Sequence, residues 1–84
     1  MDTKVKEITE NAIGQAFDAW AAQHPSLAGV LDRIELTDRV VDRLRDSPEY
    51  KAAVESYVQG RVEIDLLGSV VKLAGQLLPL ILAL

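Results

Sequence analysis

An all-α fold, drawn as an antiparallel three-helix bundle or hairpin with a long apolar C-terminal helix, is predicted by three observations in this 84-residue chain. Apolar residues recur at steps of three and four from Val5 to Trp20. Ser47-Pro48-Glu49 is a strong helix start signal, and no segment alternates apolar and polar residues between turn residues as a strand would.

The first helix is predicted over residues 3–23. Val5, Ile8, Ala12, Ile13, Ala16, Phe17 and Trp20 fall on one stripe of an amphipathic helix. Pro25 stops it, because it disfavours a helical conformation at His24 and has no N–H to donate.

A second helix is predicted over 27–45, from the spacing of Leu27, Val30, Ile34, Thr37, Val41 and Leu44; a break at Thr37 is the alternative. Its outer face carries Asp32, Arg33, Glu35, Asp38, Arg39, Asp42, Arg43, Arg45 and Asp46, which reads as a solvated surface. Glu35 and Arg39 form a favourable pair four residues apart.

Ser47 supplies a capping hydroxyl, Pro48 a preset first turn, and Glu49 an acid near the positive end of the helix dipole. With only Asp46 and Ser47 between them, the second and third helices are expected to lie side by side. The third is predicted over 48–78, about 46 Å long against about 30 Å for the first two, and so overhangs its own bundle. The alternative ends it at Gly60, giving four helices, the last folded back over the others.

One domain covers residues 1–84, and a chain this short buries only roughly 60% of its unfolded surface. With no cysteine and one histidine, stabilisation by disulfides or by the usual metal ligands is not expected, which leaves oligomerisation. The N-terminus, with Asp2 and Glu7 and no apolar run, reads as neither a signal nor a transit peptide. A formal charge of −4 with mixed signs argues against a nucleic-acid partner.

Residues 62–84 form an apolar interaction segment. Val62, Leu66, Leu67, Val70, Val71, Leu73, Leu77, Leu78, Leu80 and Ile81 are the predicted interface, with Ile64, Leu82 and Leu84 adding to its apolar character. Half burial of these side chains is worth on the order of 13 kcal/mol, comparable with the stability of a whole domain. Asp65, Ser69, Lys72 and Gln76 step by four, three and four into one polar stripe, flanked by Gly68 and Gly75. The stripe reads as the solvent edge of a buried helix, or as a close helix contact in which glycines admit a neighbouring backbone.

As a transmembrane segment, residues 66–84 are marginal. Eleven Leu, Ile or Val residues contribute roughly −3 to −7 kcal/mol, and Lys72 costs roughly 2.5 to 3.5. Burial against protein is therefore preferred over membrane contact.

Chemistry is sparse. His24 beside Pro25 reads as a turn residue or local cap rather than a catalytic base. Asp38 and Asp42 share a helix face but stand among Arg39, Arg43 and Arg45. Phe17, Trp20, Tyr50 and Tyr57 read as bundle core, and the isolated glycines form no phosphate loop. No catalytic residue, cofactor, metal or small-molecule substrate is expected, and the chain reads as non-enzymatic.

The function expected from the sequence is structural: an assembly protein that oligomerises through its apolar C-terminal helix, as a homo-oligomer or with a partner protein, in the cytoplasm or within a larger particle such as a virion. Two alternatives are a membrane-associated protein anchored at the membrane periphery by that helix, and a small inhibitor or adaptor presenting an amphipathic helix to another protein.

Overall fold

The computed structural model describes residues 3–60 and 65–83. The described chain is all-α, with helices α1 (Thr3–Gln23), α2 (Pro25–Ala28), α3 (Arg33–Arg45), α4 (Pro48–Val58) and α5 (Leu66–Leu82).

α1 buries Val5, Thr9, Ala12, Ile13, Ala16 and Phe17 on one stripe. Its C-terminal carbonyls are partly satisfied by His24, whose backbone N–H donates to Ala21 O at 3.1 Å and whose ring Nδ1 donates to Trp20 O at 3.1 Å. Pro25 then starts the single turn α2.

In place of one helix over 27–45, the chain leaves helical geometry between Ala28 and Arg33. The physical reason is Asp32. Its backbone is extended, and its carboxylate accepts hydrogen bonds from the N–H groups of Ile34 (3.0 Å) and Glu35 (3.2 Å), fixing a new helix start. The alternative break at Thr37 is absent as well: its hydroxyl donates to Arg33 O at 2.8 Å inside continuous helix. The face toward the core is Leu36, Val40 and Leu44, spaced by four. Of the Leu27–Leu44 pattern, only Leu44 is fully buried.

Ser47 Oγ accepts from Tyr50 N–H at 3.3 Å and donates to Glu49 Oε2 at 3.0 Å, so hydroxyl, proline and acid together start α4. α3 and α4 approach each other little, and so do not form the side-by-side pair expected from the short connection. A buried hydrogen bond of 2.8 Å between Thr9 Oγ1 and Tyr50 OH instead ties α4 to α1.

The unbroken helix over 48–78 is overturned. α4 ends at Val58, and Gly60 has φ +74°, a left-handed conformation that glycine adopts without the Cβ penalty of other residues. Its N–H donates to Tyr57 O at 3.1 Å, closing the last turn. Asp65 then stands at the N-cap of α5. The chain follows the alternative break near Gly60, with α2 as an additional short turn.

α5 does not overhang. It packs most extensively against α1 and also touches α3 and α4. Leu66, Val70, Ala74, Leu78 and Ile81 line its buried face and join Val5, Ile13, Val40 and Leu44 in a single core. At 17 residues it is about 25 Å long, close to the length of α1, so the two can share a seam along most of their length.

Candidate interaction surface

Folding α5 back divides the predicted interface among three environments. Leu66, Val70, Leu78 and Ile81 belong to the chain's own core. Leu67, Val71, Leu73 and Leu77 are half-buried at its margin, and Leu80 is 65% exposed. Val62 lies outside the described residues.

Leu73, Leu77 and Leu80 follow one another at steps of four and three, so they form one strip of α5 running from the core margin to solvent. Beside it runs the polar stripe. Asp65, Lys72 and Gln76 are exposed and Ser69 is half-buried, and a shallow depression of about 270 Å³ is lined by Glu49, Ser69, Lys72, Leu73 and Gln76. Among the described residues no helix uses Gly68 or Gly75 for close approach. A Cβ on Gly75 would stand in open space, and one on Gly68 would meet only the Asp65 side chain, its carboxylate at 2.8 Å.

A second apolar surface lies where sequence periodicity had placed core. Leu27, Val30 and Ile34 are 55%, 80% and 76% exposed along the α2–α3 connection. Ile34 also lines an open cleft of about 440 Å³ between α1 and α3, together with Glu10, Asp18, Thr37 and Asp38. One wall of this cleft is Arg33. Its Nη1 donates to Asp18 Oδ1 at 2.8 Å and its Nη2 to Gly14 O at 3.3 Å, while the guanidinium lies 5.1 Å from the centroid of the Phe17 ring. Gly14 permits this approach, since a Cβ there would stand 3.1 Å from Nη2. Arg33 was legible only as part of a solvated face. Its partners lie on α1, and nothing in its local spacing points to them.

A third surface flanks α3 on its other side, where Arg39, Asp42 and Arg43 surround a crevice over Ile81. Arg39 is 3.8 Å from Glu35 and Arg45 is 3.6 Å from Asp42, exposed pairs that contribute little to stability. Asp38 faces the α1–α3 cleft whereas Asp42 faces the Ile81 crevice, so the two carboxylates do not share one space.

His24 stacks on Trp20, with ring centroids 4.6 Å apart and planes inclined by 14°. Phe17 and Tyr50 are buried, while Trp20 and Tyr57 pack half-buried at the core edge. Among the described residues, no group of three or more His, Cys, Asp or Glu side chains is placed to hold a metal ion. Likewise, no helix among the described residues is long and apolar enough to cross a membrane.

No protein-family model, curated protein or solved structure matches the chain.

Proposed function

We propose that the chain is a non-enzymatic assembly protein whose copies associate through the part of α5 that its own fold leaves uncovered. The observation that carries this reading is the strip Leu73, Leu77 and Leu80, which begins half-buried and ends at a leucine that is 65% exposed. Covering such a side chain is favourable by about 1 to 2 kcal/mol, and a small chain without cysteine has few other ways to add to its stability. The expected interface is narrower than the whole apolar segment, because Leu66, Val70, Leu78 and Ile81 already serve the core.

Sedimentation of the full chain without detergent tests the reading. Species heavier than one chain are expected, shifting toward the single-chain mass in Leu80→Asp with helicity unchanged. A monodisperse monomer at the highest soluble concentration would overturn it.

A further inference from the structure

We infer that two copies of this chain exchange α5, each seating it on the α1, α3 and α4 of the other. This goes beyond the surface strip, because the exchanged contact is the core itself and does not depend on Leu80. Leu66, Val70, Ala74, Leu78 and Ile81 of α5 close a core with Val5, Ala12, Ile13, Val40 and Leu44, and α1 touches α3 far less than it touches α5. Every copy carries the same buried face. An α5 from a second chain therefore makes the same contacts and loses nothing in complementarity.

Two features of the α4–α5 connection favour opening. Among the described residues Gly60 alone has a positive φ, +74°, and a Cβ there would meet nothing within 4 Å. Glycine takes helical and left-handed φ about equally readily, so turning Gly60 to helical φ costs little. No glycine or proline lies between Gly60 and Gly68 to stop α4 if it runs on. The other feature is the start of α5. Asp32 and Ser47 cap α3 and α4 with side-chain hydrogen bonds, whereas the Asp65 side chain accepts from no N–H of α5. First-turn N–H groups without a cap are those that a preceding helical turn would pair. Opening at Gly60 thus offers these groups partners as it carries α5 off its own α1, and the vacated core takes the partner's α5. Val58, 65% exposed at the end of α4, lies beside the hinge, where the two chains of an exchanged pair cross.

Full-length chains refolded from urea at high concentration and then sedimented test this, all carrying Leu80→Asp so that the exposed strip takes no part. A dimer is expected that dilute refolding does not give. Gly60→Ala should strengthen it more than about tenfold, since alanine disfavours left-handed φ and favours a continuing helix at both hinges. A second readout separates exchange from surface contact. Ile13→Asp and Leu78→Asp each put a charge into the core, and each alone should lose helicity by circular dichroism. Mixed in equal amounts they should show more helicity than the mean of the two, because the intact α5 of the first fits the intact α1 of the second. If the aspartate mixture stays unfolded, Ile13→Ala and Leu78→Ala make the same comparison, with a higher melting temperature expected on mixing. Leu80→Asp chains that stay monomeric with and without Gly60→Ala, or mixtures of both kinds that give only the mean, overturn exchange. Neither result bears on the surface strip, whose own test is assembly of the wild-type chain and its loss in Leu80→Asp.

Discussion

Thr9 and Tyr50, forty-one residues apart, share a buried hydrogen bond of 2.8 Å that joins the first helix to the start of the fourth. Both side chains are almost inaccessible to water, so their hydroxyls cannot exchange this bond for solvent. Thr9→Val and Tyr50→Phe should each cost about 1 to 3 kcal/mol in urea unfolding. The double variant should cost less than the two together, by about 1 kcal/mol. Strict additivity would show that the bond does not couple the helices.

Helix starts give a second prediction. Asp32 accepts from two backbone N–H groups and Ser47 from one, so Asp32→Ala and Ser47→Ala should each lower stability by about 1 kcal/mol. Chemical denaturation of the two variants reads both values.

Opposite outcomes are expected at two glycines. Gly60 has a positive φ with free space around it, so Gly60→Ala should destabilise by about 1 kcal/mol or more through backbone conformation alone. Gly75 lies in the interior of α5, also with free space, and Gly75→Ala should stabilise by up to about 1 kcal/mol. Thermal melts at one chain concentration compare them. If Gly75→Ala also weakens assembly, neighbouring copies approach closely along the polar stripe.

Leu78 and Leu80 separate folding from association. Leu78 is fully buried, and Leu78→Ala should cost about 3 kcal/mol. Leu80→Ala should leave unfolding of the single chain within about 0.5 kcal/mol of wild type and lower the sedimented mass.

The features legible in the sequence are those written in local chemistry. Pro25 ends α1, and Ser47, Pro48 and Glu49 start α4, because capping and proline geometry act within a few residues. The all-α class follows from the spacing along α1. The second helix was harder to read because Leu27, Val30 and Ile34 imitate a core stripe, whereas the Asp32 cap requires those residues to leave it. The path of the last helix depended on Gly60. An isolated glycine can sit within a helix or end one, and the choice is made by distant packing of α5 against α1, which local spacing does not encode. Of the candidate interface, the apolar character of residues 66–81 was legible, but its division between core and surface was not. The Arg33–Asp18 contact was equally hidden, since its partners lie on different helices.

The central position of α5 also orders events during synthesis. The main partner of α1 is α5, which follows α2, α3 and α4 in the chain, so α1 to α4 leave the ribosome before the segment that completes their shared core. Until α5 docks, apolar side chains such as Ile13 and Val40 lack part of the core that covers them. Contact between α1 and α5 is the most extensive and spans the longest stretch of sequence, so substitutions on that seam should alter the folding rate more than substitutions within α3 or α4.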